Sequence, residues 1–432
     1  YLKYRDIYFD FVMPLHKLYY DIEMRGVKVD FSRRKELTKK YELRQKETHA
    51  QLTNLLGYEL NSMSAPQVAV CLFKGLKCPH RAAVDNDTIV ALLGNNIKDE
   101  RRVKILNLIL DDRRLRKLLG TYLYASLDFD GRMRTSYRID GTETGRTSTG
   151  ILKAPRRMEK IGWAFQTITK SGDFGEDLRS ILIPDDGMEF AEIDSSQAEA
   201  RVVALLANDS ETLNLFNSGI DVHSFTASKI CGIPIESVGK DSAERFLGKR
   251  GRHSYNYDIG KRELMLTINS DAKRFHVDLV ISEFKASQIL KKLDALMPNV
   301  RGVFHKEVER ILSETRTLET PFGRKRTFFD RWSDKLKKES YAYLPQSTVA
   351  DNTKRAMLMF KRARPDIDIL IESHDSFLVQ YPTNQRDTLL PLLRMCMELP
   401  IDFKTCSLSR GTLSIPSEIK IGPNWKDLHG VT

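Results

Sequence analysis

"AEIDSSQAEARVVALLAN", residues 191–208, decides how the rest of the chain is read. A short apolar run closes on Asp194, two serines and a glutamine follow, and an apolar helical period then begins around Glu199. A strand followed by a helix, with Ser195 or Ser196 as the helix cap, accounts for the serines. It does not account for Asp194, because a carboxylate at the end of a buried strand needs a positive partner.

Working outward, a second unusual carboxylate stands in "IESHDSFLVQYP", residues 371–382. The wider stretch 366–382 reads as strand, tight turn, strand, with Asp375 at the tip between His374 and Ser376. An aspartate in a turn is ordinary, since its side chain bonds nearby backbone. Two such acids at strand ends of one sheet can instead hold a pair of divalent cations roughly 3.5–4 Å apart, as phosphoryl transfer requires. Mg²⁺ needs few protein carboxylates, because water and substrate phosphates complete its shell.

Between the two acids lies "ERFLGKRGRHSYNYDIGKREL", residues 244–264, with six Lys or Arg from Arg245 to Arg262. At helical spacing Arg245, Lys249, His253 and Tyr257 form one stripe. A solvated charged face would look the same. The alternative is a helix aiming two cations at a triphosphate, with an aromatic ring beyond them to meet a base.

The remaining chain fits a discontinuous sheet domain carrying two helical insertions. "RGVKVD" (25–30) reads as a turn and short strand, and Asp30 then caps a charge-rich helix to about Leu56, stopped by Gly57. "LNSMSAPQVAVCLF" (60–73) reads as a helix capped by Ser64, and residues 99–119 as a basic helix. Short strands are expected from Ser126 around an Asp-Gly turn, and two more in 181–194. Helical periods dominate 209–364, broken by a hairpin at "ETPFGRKRTF" (319–328).

Bulk composition agrees with a nucleic-acid partner. The 432 residues carry 69 Lys+Arg against 58 Asp+Glu, a net charge of +11, and a basic excess favours polyanions. Five scattered cysteines suit free thiols in a reducing compartment, and Cys71, Cys78 and His80 lack a strong zinc spacing. No apolar run approaches 18 residues, so no membrane partner is expected. The chain starts at Tyr1 rather than Met and is read as a fragment.

Taken together these blocks resemble family A DNA polymerases, the DNA polymerase I type. "DSSQAEAR" (194–201) resembles that family's motif A, the Arg245–Lys249–His253–Tyr257 stripe its motif B, and "HDS" (374–376) its motif C. "DGRMRTSYRIDGTETGRTS" (130–148), "DVHSFTASKICG" (221–232) and "QSTVADNTKRAM" (346–357) match further family blocks, as do "MRGVKVD" (24–30) and "IGPNW" (421–425). All stand in family order over nearly the whole chain.

The resemblance implies an α+β right-hand polymerase fold with an antiparallel-sheet palm, a helical thumb and helical fingers. It places a palm entry segment at 1–30, the thumb at 31–125, palm at 126–207, fingers and primer-template helices at 208–365, and palm again at 366–432. The implied activity is template-directed addition of dNTPs to a primer 3′-hydroxyl, without a 3′–5′ exonuclease in this chain. Asp194 and Asp375 would ligate two Mg²⁺, with Mn²⁺ as a substitute, and Lys249 would join them in catalysis. Arg245, Lys249, His223, Gln197, Glu199, His253 and Tyr257 would meet the nucleotide. Among them Glu199 would act as a sugar gate that Tyr257 holds shut. Arg146, Arg179, Gln346 and His374 would meet primer-template DNA. The implied partners are primer-template DNA and dNTPs, with an upstream exonuclease domain or accessory factor outside this chain. A monomer working at a cytoplasmic, organellar or viral replication site, not secreted, is expected.

Four positions depart from the family pattern. Ser376 stands where Glu is usual, His253 where Phe or Tyr is usual, Asp258 in place of a glycine, and Ser195 in place of an aromatic residue. Such drift suggests a divergent branch, viral or plasmid-borne. Two other readings are weighed: a single-subunit RNA polymerase, against which Glu199 speaks, and a nucleic-acid-binding protein with a decayed site.

Overall fold

The computed structural model describes residues 5, 7–93, 99–153, 160–170 and 172–431. Parts of the N-terminal segment, residues 1–4 and 6, therefore lie outside the described residues.

A π-helical segment, Ile7–Val12, runs into helix α1 (Met13–Arg25), and strand β1 (Val27–Val29) follows. Helix α2 (Phe31–Leu56) follows, with the Asp30 side chain accepting the Arg33 N–H at 2.9 Å and Gly57 ending it at φ 80°. Both boundaries agree with the capping signals, and a cap of this kind contributes about 1 kcal/mol. Helix α3 (Glu100–Lys117) starts on an Asp99 cap. Ser64 does not cap by its side chain. The helix it precedes spans only Ala65–Ala69 before widening into a π-helical turn, Val70–Gly75. The tips of α2 and α3 enclose a separate small core with Leu52, Leu60, Leu72 and Ile105.

The central sheet has five antiparallel strands. They are β4 (Met188–Ser195), β7 (Asp368–Ser373), β8 (Ser376–Pro382), β9 (Ser417–Gly422) and β10 (His429–Val431), in the order β7-β8-β4-β9-β10. The intervening labels belong to smaller sheets. β1 pairs with β2 (Arg132–Met133) and β3 (Leu182–Ile183), and β5 (Thr317–Glu319) with β6 (Lys325–Thr327). The two strands expected in 181–194 thus form but join different sheets.

Alternation gives the central sheet two faces. Ala191, Ile193, Phe377, Val379, Ile419 and Ile421 pack against α1, the long helix α9 (Asp334–Ala363) and α10 (Arg386–Met397). Phe190, Leu378 and Trp425 face the other way, onto Trp163, Phe165 and the base of the first helical lobe. Full burial contributes about 2 kcal/mol per large apolar side chain, so register is firmly set: a one-residue slip would exchange the two faces.

The second helical lobe has its own core. It contains α4 (Ala198–Leu206), α5 (Val222–Cys231), α6 (Ala243–Tyr255), α7 (Lys261–Arg274) and α8 (Glu283–Leu296). Helix α9 spans both bodies: Leu336, Tyr341 and Leu344 pack in the helical lobe, Ala356, Met357 and Phe360 under the sheet. Among the described residues no helix is long and apolar enough to cross a membrane.

Candidate active site

The two aspartates meet at one corner of the central sheet. Asp194 pairs across the strands with Ser376, and the Ser195 N–H donates to the Asp375 carbonyl at 3.0 Å. A two-residue turn, His374–Asp375, joins β7 to β8 and lifts Asp375 above that edge. His374 takes the left-handed conformation, φ 60°, and Glu372 holds it by accepting the His374 N–H at 2.6 Å. Glu372 is itself 2% exposed and bonded by Thr147 and by Gln166 (3.0 Å).

Strand β4 does not end in a serine cap. It runs through Ser195, Ser196 donates its N–H to the Pro416 carbonyl at 2.8 Å, and Gln197 starts α4 at φ 52° without a side-chain cap bond. The serines are taken up by strand and loop pairing, so they cannot turn to the helix. This sharp reversal places Glu199 in the first turn of α4, close behind Asp194.

Burial and the nearby Asp194 charge push the Asp375 carboxyl up to about 7. Two carboxylates crowded in a shielded corner disfavour joint ionisation unless cations join them. Lys170, which lies outside every motif read from the sequence, forms an ion pair with Asp194. The donor set suits a hard divalent cation, being carboxylate oxygen alone. Among the described residues there is no cluster of three or more His, Cys, Asp or Glu able to hold a metal, so water and substrate phosphate would complete the shell.

Helix α6 brings the cations. Ser242 caps it, accepting the Arg245 N–H at 3.1 Å. Gly248 lets it lie directly on α5: a Cβ there would sit 2.7 Å from the Ala227 nitrogen. Burial, together with Arg250, Arg245 and Lys170, lowers the Lys249 pKa, while Asp194 works the other way. Burial, opposed by Asp221 and aided by Lys249 and Arg245, lowers His223 to about 4 and leaves it neutral. Arg245 itself donates to Asp221 at 2.6 Å, so Asp221, the cap of α5, orients it.

The predicted stripe breaks at its end. Helix α6 stops at Tyr255, and Tyr257 follows in a turn closed by Asp258 at φ 56°, a left-handed conformation that favours glycine. The His253 and Tyr257 rings still meet edge to face, centroids 5.4 Å apart. The Tyr257 hydroxyl donates to Glu199, and Arg146 pairs with the other Glu199 oxygen. Gln346 lies beside the Tyr257 hydroxyl. Glu199 is thus clamped from both sides.

Arg146 and Arg179 each already have a partner within the protein. Arg146 is occupied by Glu199, and Arg179 is 5% exposed, with its guanidinium 3.8 Å above the Trp425 ring and 4.0 Å from Glu192. Glu192 escaped the sequence reading, although alternation puts it on the Asp194 face of β4. A charged residue two before the motif aspartate, flanked by Ala191 and Ile193, was the available signal.

Near the two aspartates and α6, five buried side-chain atoms lack a hydrogen-bond partner within the protein: Ser376 Oγ, Gln197 Oε1, His223 Nδ1, Arg179 Nε and His374 Nδ1. Buried polar atoms are normally paired, so these atoms keep hydrogen-bonding capacity for a polar ligand.

The family model described as "DNA polymerase family A" matches residues 32–427. DNA polymerase I of Caldicellulosiruptor bescii is 26% identical over 97% of this chain and 47% of the relative. The thermostable DNA polymerase I of Thermus aquaticus is 24% identical over 96% of this chain and 47% of the relative. This chain thus spans about half the length of these relatives. Among solved structures, the POL domain of Pol1 from M. smegmatis, in complex with DNA primer-template and dNTP, superposes with a TM-score of 0.76. It is 20% identical and is matched over 96% of this chain and 70% of that one.

Proposed function

The chain belongs to DNA polymerase family A, and from that premise we propose that it extends a primer 3′-hydroxyl with dNTPs under the direction of a DNA template. Its architecture is the α+β right-hand fold, with the central sheet as palm and helical lobes as thumb and fingers. The observation that carries the reading is the meeting of Asp194 and Asp375, 181 positions apart in the chain, at one strand edge opposite the cations of α6.

In this reading Asp194 and Asp375 hold the divalent pair. Bound there, Mg²⁺, or Mn²⁺ in its place, would supply charge neutralisation at the reacting phosphate and lower the pKa of the attacking hydroxyl. Lys249 and Arg245 bind the triphosphate as fixed cations, and neutral His223 donates a hydrogen bond to it. Gln197 lies beside the metal pair. Glu199, locked by Tyr257 and Arg146, fills the space a ribose 2′-hydroxyl would need, and His253 faces the sugar. Tyr257 presents its ring at the templating position. Gln346 and His374 line the primer-template end. Arg146, paired with Glu199, meets the minor-groove side of that end, and Arg179, beside Glu192 and Trp425, supports the primer terminus.

The test is primer extension with Mg²⁺ and dNTPs by the chain and by its Asp194→Ala and Asp375→Ala variants. Extension by the parent and loss of at least about 10³-fold in either variant is expected from removing a metal ligand. Equal extension by all three would overturn the assignment.

A further inference from the structure

Lys170 stands beside the metal corner with no part in the chemistry above, and Glu192 has entered it only as a neighbour of Arg179. Lys170 lies on the segment before β3, and its half-exposed ammonium pairs with Asp194. The same Nζ is 3.9 Å from Glu192 Oε1. Glu192 is fixed: its side chain is 6% exposed, receives the Trp425 indole N–H at 3.4 Å and lies 4.0 Å from Arg179. The Arg179 guanidinium carbon lies 3.8 Å from the centre of the Trp425 ring, which occupies it on its other side. Glu192 thus keeps acceptor capacity toward Lys170, and a shift of about 1 Å would turn that separation into a hydrogen bond.

Resting on the reading of Asp194 and Asp375 as metal ligands, we propose that Lys170 is a built-in competitor for the divalent cation, moving from Asp194 to Glu192 when the metal binds. In the metal-free protein the ammonium neutralises a carboxylate corner that would otherwise repel itself. Divalent binding displaces it, and Glu192 receives the displaced charge in a buried place. Lys170 is in this sense a positioning residue, and together with Glu192 it sets how much free metal the enzyme needs. The small Ser376 opposite Asp194 offers no carboxylate to share this task.

The experiment is Mn²⁺ binding to the full chain without DNA or dNTP, followed by loss of the free-ion paramagnetic resonance signal. Lys170→Met is expected to tighten binding about five- to tenfold, and Glu192→Gln to weaken it about threefold, as for charge pairs between surface and interior. Long-range electrostatics alone predicts the same signs, so the double variant decides. If Glu192 acts by receiving Lys170, Glu192→Gln changes nothing in the Lys170→Met background. Lys170→Arg should bind Mn²⁺ like the parent. Additive effects in the double variant, or unchanged affinity in Lys170→Met, would overturn the proposal. A parent that binds no Mn²⁺, or binds it equally after Asp194→Asn, would overturn the metal reading itself and the competitor with it. Thermal unfolding of each variant separates loss of fold from loss of binding.

Discussion

Replacing Asp375 with asparagine should stabilise the metal-free protein at neutral pH while abolishing extension. Burial and the Asp194 charge carry the Asp375 carboxyl from 3.8 to about 7. Between those pH values the unfolded chain has released its proton while the folded chain keeps it. Stability therefore falls as pH rises through this window, and the loss is complete above about 7. At about 1.4 kcal/mol per tenfold change in acidity, the penalty is bounded at about 4 kcal/mol. Solvent around the partly exposed Asp194 screens part of it, so about 2 kcal/mol is expected. Asparagine removes the ionisation and keeps the shape. The variant should match the parent near pH 4 and exceed it by about 2 kcal/mol near pH 8. Urea unfolding followed by circular dichroism, with a chelator present throughout, measures this. Adding Mg²⁺ should then stabilise the parent and leave the variant unchanged, because binding to the native state adds to its stability. A gain that is the same at both pH values, or a loss at pH 8, would refute the crowded, shielded carboxylate pair.

Three further outcomes follow from the site. Lys249→Ala should raise the KM for dNTP or lower kcat by about 10²-fold while leaving primer-template affinity nearly unchanged, since its ammonium faces Asp194 rather than the basic first lobe; steady-state kinetics beside a binding titration checks both. Glu199→Ala should raise ribonucleotide relative to deoxyribonucleotide incorporation, and Tyr257→Phe should do so more weakly, because it removes one of the two bonds that hold Glu199; competition between rNTP and dNTP on one template reads the ratio. Gly248→Ala should destabilise the second helical lobe by about 1–3 kcal/mol, as overpacking does, since its Cβ would press on the Ala227 nitrogen at 2.7 Å; thermal melting and the dNTP KM should both worsen.

Much of this protein could be read from residue order. The Asp30 cap and Gly57 stop of α2, the strand-turn-strand around Asp375 and the hairpin near residue 320 depend on neighbours a few positions apart, and the structure has all three. The order of the blocks also led to the family. Local signals misled where the long-range structure claimed the same atoms. Ser195 and Ser196 have the chemistry of helix caps, but pairing with Asp375 and Pro416 takes their backbone first. Helical spacing carried the α6 stripe through Tyr257, yet the helix closes at Tyr255 and Asp258 turns the chain.

What residue order determined by itself was which acids, cations and rings would be present and on which elements. What only the tertiary structure decided was their pairing. Lys170 on Asp194, Arg146 on Glu199 and Arg179 between Trp425 and Glu192 join residues 24, 53, 13 and 246 positions apart. Periodicity and capping act through bonds within a few residues, so sequence records them. The partner of a charge is fixed by how helices and sheet pack, because burial makes an unpaired charge costly wherever its partner lies along the chain.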